Sequence, residues 1–142
     1  MDHALEQILN LLLESERAGV KALEQLAPQV EQDEMRNFLL GEREEEQSNV
    51  RGLEGLIREG GGTPSNAIGP FADKVAALKS IRDRLGLLSR GQEWVARKVE
   101  EALTIAPAEG PIRDFLQSMA NRHRAEVEWG RAEVIRLLGG DK

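Results

Sequence analysis

The chain contains no cysteine and no tyrosine. Without cysteine, disulfides, thiol catalysis and cysteine-ligated zinc are excluded. Without tyrosine, tyrosyl-radical chemistry lacks its most obvious residue. No stretch alternates apolar and polar residues over the length of a strand, so no sheet is expected. Long apolar runs are missing too. The best one, Ile8 to Leu13, is interrupted by Asn10 and is far too short to cross a bilayer. Met1-Asp2-His3 opens the chain with no basic segment ahead of an apolar one, which predicts no secretory leader and a cytoplasmic location. Positive charge is outnumbered and scattered. A formal charge of −6 with no Lys/Arg run predicts neither a nucleic-acid partner nor a membrane surface, since both need clustered cations.

What is present reads as one globular domain over residues 1–142. Hydrophobic residues make up 40% of the chain and charged residues 31%, a globular balance. Apolar residues recur with a helical period in four long segments. The first helix is predicted from Asp2, a ready N-cap, to Leu26, with Leu5, Ile8, Leu12, Leu23 and Leu26 inward and Pro28 ending it. Gly19 shares that face and would let a neighbouring helix or side chain approach closely. The second runs from Gln32 to Glu59 through Met35, Phe38, Leu39, Leu53, Leu56 and Ile57, and stops at Gly60-Gly61-Gly62. The third covers Ile81 to Thr104, with Leu85, Leu88, Val95, Val99 and Leu103 inward. The fourth opens at Pro111 or Ile112 and reaches Leu138 through Phe115, Met119, Val134 and Leu137, with Gly139-Gly140 as its stop. Short turns join the first pair and the last pair. A long connection, from about 60 to 80, separates the two hairpins and has room for a short helix over Phe71 to Lys79. An all-α bundle of two antiparallel hairpins joined by a long crossover is expected. If Phe71 already starts the third helix, the alternative is a plain up-down-up-down bundle.

Seven polar side chains interrupt the inward stripes: Glu16, Glu42, Glu46, Asn49, Gln92, His123 and Glu126. Buried polar and charged groups are costly unless bonded, paired or bound to metal. Phase places each of them inward, while Glu44 and Glu93 project elsewhere and Glu45 lies at the edge. Height agrees. In an antiparallel hairpin, residues equally far from the turn are level, which puts Glu16 beside Glu45 and Glu46, and Gln92 between His123 and Glu126. Each lies roughly 22 Å from its turn at the helical rise. All four helices therefore feed one mid-bundle layer. Carboxylate and imidazole donors suit iron or manganese. A di-iron bundle offers one Glu from each of two helices and a Glu-x-x-His from each of the other two. This chain offers Glu16, Glu46-x-x-Asn49, Gln92, and Ala120-x-x-His123 with Glu126 one turn further on.

Four segments resemble the ferritin-like superfamily, and in particular small bacterial ferritin-like four-helix-bundle proteins. These are Leu13-Glu14-Ser15-Glu16-Arg17-Ala18-Gly19, the loop Gly61-Gly62-Thr63-Pro64-Ser65, Arg90-Gly91-Gln92-Glu93-Trp94-Val95 with Arg97-Lys98, and the region of His123. The resemblance implies a ferritin-like bundle and ferroxidase, peroxide or oxygenase chemistry at a carboxylate site. Asn49 stands where that superfamily has a His, Gln92 where it has a Glu, and Ala120 where it has a second Glu, for which Glu126 could substitute. The expected metal ligands are Glu16, Glu46 and His123, then Glu126 and Glu42, with Gln92 and Asn49 as weak ligands or supports for the others.

The competing expectation is a non-catalytic interaction or scaffold protein whose polar layer is metal-free and fixes helix register. In that reading Arg17, Arg51, Arg122 and Arg124 neutralise some of the carboxylates, or the face at Glu42 opens to water. A small-molecule pocket in the bundle core is a third reading. Trp94 is predicted to point away from the core and Trp129 to sit on its flank. Two partly exposed tryptophans predict a homo-oligomer, most simply a dimer.

Overall fold

The computed structural model describes residues 1–138, with the side chains of Val134, Leu137 and Leu138 outside that description. Two of the inward positions expected on the last helix, Val134 and Leu137, are thus not described. Its expected stop at Gly139-Gly140 also lies outside the described residues. The elements are α1 (His3–Leu26), a 3-10 turn (Ala27–Gln29), α2 (Asp33–Glu59), α3 (Phe71–Ala76), α4 (Ile81–Ile105) and α5 (Pro111–Leu138). No strand occurs among the described residues.

Local chemistry sets the ends. The Asp2 carboxylate accepts the backbone N–H groups of Ala4 and Leu5, capping α1. Pro28 cannot donate an N–H, and the chain tightens into the 3-10 turn that carries it. At the end of α2, Gly61 takes a φ of 85° and the N–H of Gly62 reaches the carbonyl of Ile57 at 2.8 Å. That left-handed closure needs glycine. Ser80 caps α4 by accepting the Asp83 N–H at 3.0 Å. Pro111 opens α5, where its missing N–H costs nothing.

Two apolar clusters fix the topology. One joins Leu5, Leu9, Leu12 and Leu13 to Leu53 and Ile57, Val99 and Ala102, and Leu116, Met119 and Ala120. The other joins Leu23 and Leu26 to Met35 and Leu39, and to Val75, Leu85 and Leu88. The start of α1 therefore meets the ends of α2 and α4 and the start of α5. The end of α1 meets the starts of α2 and α4. The four long helices run up, down, down, up, the ferritin-like order, and a plain up-down-up-down bundle is ruled out. Phe71 starts a separate short helix, which ends at Ala76 and not at Lys79. The crossover climbs the outside of α1. Asn10 donates to the Thr63 carbonyl at 3.1 Å and accepts the Ser65 N–H at 2.7 Å. Ser65 Oγ donates to Glu14 at 2.6 Å, and Arg17 donates to the carbonyls of Ser65 and Ala67.

The buried face of α1 is wider than expected. Leu9, Leu13, Ala18 and Ala22 are fully buried, while Ile8 is only partly so. The reason is that α1 packs against α2, α3 and α4 together. On α5 the stripe runs through Leu116, Met119, Ala120 and His123, and Phe115 sits at its edge. Trp94 does not point away from the core. It is half-buried against the first cluster, with Lys98 Nζ 5.5 Å from its ring. No helix among the described residues is long and apolar enough to cross a membrane.

Candidate metal centre

Glu16 on α1, Glu42, Glu46 and Asn49 on α2, Gln92 on α4 and His123 on α5 are all buried, and Glu126 on α5 is half-buried. The polar layer inferred from phase and height therefore exists, with every long helix contributing. Gly19 makes room for it. A Cβ at that position would stand 1.9 Å from Glu46 Oε1, so the carboxylate occupies the space a side chain would take. The close approach expected at Gly19 is that of Glu46.

The layer divides into two halves. In one, Glu16 is fully bonded. Its Oε1 lies 3.0 Å from His123 Nε2 and its Oε2 accepts from Asn49 Nδ2 at 3.3 Å. Arg122 backs this half by donating to Asn49 Oδ1 at 3.0 Å. In the other half, Gln92 Nε2 bridges Glu42 Oε2 at 3.1 Å and Glu46 Oε2 at 2.6 Å. Gln92 Oε1 and His123 Nδ1 are left buried without a partner.

Burial keeps protons on the carboxyls of the second half. Burial first, then the neighbouring charges of Glu45 and Glu16, push the Glu42 carboxyl up to about 8. Burial, with Glu16 and Glu42 nearby, also holds Glu46 well above the usual carboxylate range, against the lowering effect of its bond from Gln92. Among the described residues, no Lys or Arg pairs with Glu42 or Glu46. Arg17 pairs instead with Glu54 at 3.3 Å, and Arg124 with Glu100. Arg51 is exposed. Glu42 is also closed off from water, at 5% exposure. Neither arginine neutralisation nor solvation explains this half of the layer.

Glu42, Glu46 and Glu126 each bring one carboxylate oxygen to within 4.8 Å of the others. Beside them a cavity of about 20 Å³ is lined by Glu42, Gln92 and Glu126 together with apolar side chains of α2, α4 and α5. That is room for about one water-sized occupant. Such an all-oxygen donor set suits a hard or borderline divalent cation. Of the residues ranked first as ligands, only Glu46 belongs to this trio. Glu16 and His123 are level with it but bonded to each other.

Residues 3–133 match the family described as "Domain of unknown function (DUF6306)". The chain belongs to the DUF6306 family. This DUF6306 chain is also similar to a solved structure from Bacillus anthracis str. Ames described as ferritin like, diiron-carboxylate proteins. The two share 21% identity with a TM-score of 0.77, over 97% of this chain and 99% of that one. The likeness establishes a ferritin-like fold for the DUF6306 chain. No curated protein matches it.

Two features of the DUF6306 site escape a reading by phase and height. The first is the split of the layer, which depends on rotamers and not on backbone position. The second is a cavity of about 290 Å³ that reaches Glu46 and Gln92 from the side, past Trp94 and Phe71. Its traces in the sequence are two glycines. Gly91 admits the Phe71 ring, which a Cβ there would meet at 2.5 Å, and Gly19 admits Glu46.

Proposed function

We propose that this DUF6306 protein binds one divalent metal ion in mid-bundle, with Glu42, Glu46 and Glu126 as its ligands. The observation that carries this reading is the convergence of their three oxygens within 4.8 Å in a buried layer without a cation. A divalent ion offsets the charge that burial makes costly. Gln92 holds Glu42 and Glu46 in register through one amide nitrogen, and its free Oε1 is a further neutral donor. Glu16, His123 and Asn49 hold one another beside the trio. They are supports for it, or ligands if the Glu16–His123 bond opens. Asn49 and Gln92 are weaker donors than His and Glu, and Ala120 supplies none, so the residues fit one ion better than two. The name of the Bacillus anthracis protein favours iron, and manganese shares its ligand preferences. Either ion, once bound, supplies one-electron redox chemistry toward dioxygen or peroxide. Within that setting the chain would exclude bulk water and hold protons on Glu42 and Glu46 until a cation displaces them.

The test is metal analysis of protein purified without chelator after iron or manganese supplementation. About one ion per chain is expected, lost in Glu42→Gln and Glu46→Gln and retained in Glu14→Gln. Wild-type protein free of metal under both supplements would overturn the reading. A metal-free scaffold is the second reading. It is favoured by the hydrogen bonds that already tie α1, α2, α4 and α5 together at this level. A homodimer would form around Trp129, which is 40% exposed and packs on Phe38 with ring centroids 4.0 Å apart. Trp94 no longer supports it.

A further inference from the structure

The cavity of about 290 Å³ lies between α1, α3 and α4 and is separate from the small space beside Glu126. Its walls are mostly apolar: Leu11, Phe71, Leu88, Trp94 and Val95. Its inner end is polar, formed by Gly19, Glu46 and Gln92, while Lys74 and Ser15 border it further out. Two glycines shape it. Gly91 seats the ring of Phe71 against α4, and Gly19 brings Glu46 Oε1 to the cavity surface. An apolar hollow with a few convergent polar groups is the common form of a small-molecule site.

The polar groups at the inner end are an amide and a carboxyl. Gln92 is 7% exposed, and its amide nitrogen is committed to Glu42 and Glu46, which leaves the partnerless Oε1. Glu46 uses Oε2 for Gln92, and no hydrogen bond reaches its Oε1 among the described residues. No Lys, Arg or His lines this inner end, so it offers a ligand no cation. A hydroxyl or amine end can bond to the Glu46 carboxyl there, whereas a carboxylate end would be buried without a cation. We infer that this cavity binds a small organic molecule with an apolar ring or short aliphatic body, its hydroxyl or amine end hydrogen-bonded to Glu46 Oε1. The site does not require the metal. Where the metal is bound, the same geometry sets the donor end of the ligand beside it.

Four probes that share one body separate the possibilities: benzyl alcohol, benzylamine, toluene and benzoate. They are titrated into isotope-labelled, chelator-treated full-length protein while the Trp94 indole N–H, the Gln92 side-chain amide and the Gly19 and Gly91 amides are followed by NMR. Benzyl alcohol or benzylamine should shift these signals and leave the Trp129 indole unmoved. At least one of them should bind about tenfold or more tighter than toluene and benzoate, the value of one hydrogen bond to a buried carboxyl. Ser15→Phe, which places a ring in the cavity, should abolish the shifts. Equal binding of toluene, shifts confined to Trp129, or no shift with any probe would overturn the inference, and this series decides it even if the variant does not fold. Metal content, measured on separate untreated protein, reports on the proposed metal centre alone, so either reading can fail without the other.

Discussion

At Glu42, burial turns one proton into part of the fold. Its folded pKa of about 8 lies above the ordinary 4.5, so the native state holds that proton more tightly than the unfolded chain does. The stability tied to this group is complete below about 4.5 and is lost progressively as pH rises to about 8. Glu42→Gln keeps the size and the buried amide-like contact but has no proton to lose. In metal-free protein, the urea midpoint of wild type should fall between pH 5 and pH 8 by more than that of the variant. Glu42→Gln should be the more stable of the two at pH 8. Equal slopes would mean that Glu42 ionises freely in the fold. Gly19 gives a complementary result. An added Cβ collides with Glu46 Oε1, and the carboxylate must leave its seat. Gly19→Ala should cost about 1–3 kcal/mol as an overpacked core position, despite its better helix propensity, measured by denaturant unfolding. It should also weaken metal retention, whereas Gly41→Ala, with open space around it, should do neither.

At the scale of the elements, most of the fold is legible in the sequence because its signals are local. Asp2, Pro28, Gly60 to Gly62 and Pro111 act within one turn of themselves, so the described ends of the four long helices lie within a residue of their expected places, while the short α3 stops three residues early. The inward phase of Glu16, Glu42, Glu46, Asn49, Gln92 and His123 follows from the helical period and is observed for all six. Long-range packing is what a stripe cannot convey. The extra buried face of α1 exists because α3 and the crossover also lie on it, and Trp94 is half-buried for a related reason. Rotamers are equally hidden in a sequence, and it is rotamers that pair Glu16 with His123 and leave Glu42 and Glu126 to join Glu46. The crossover itself makes an element-scale expectation. Arg17 Nη1 donates to Ser65 O at 2.6 Å and Ala67 O at 3.0 Å, while its Nη2 meets Glu54. Arg17→Ala removes these charge-assisted bonds at once and should cost about 1–3 kcal/mol. Amides of residues 63–69 should then exchange hydrogen faster, with those of α2 and α4 unchanged. Uniformly faster exchange would show that Arg17 supports the whole bundle and not the crossover.

For the whole molecule, metal binding and folding are linked through the same carboxylates. An ion that binds only the native state stabilises it by about 2.7 kcal/mol at a concentration of 100 times its Kd. For a chain of this size that corresponds to a rise in Tm of roughly 5–10 °C. The rise must depend on pH, because the cation competes with the protons on Glu42 and Glu46, whose burial favours the protonated forms. At pH 5.5 both groups hold their protons strongly and the gain from manganese should be small. Toward pH 8 the metal-free protein has lost stability to these same groups while the ion meets less competition, so the gain should be largest where the protein alone is weakest. Thermal unfolding of chelator-treated protein, with and without manganese, at pH 5.5 and pH 8 measures both effects together. Glu46→Gln should remove the gain at both values. A gain of the same size at both pH values would place the ion away from these carboxylates. A gain that survives in Glu46→Gln but vanishes in Glu16→Gln would move it to the half of the layer that holds Glu16, His123 and Asn49.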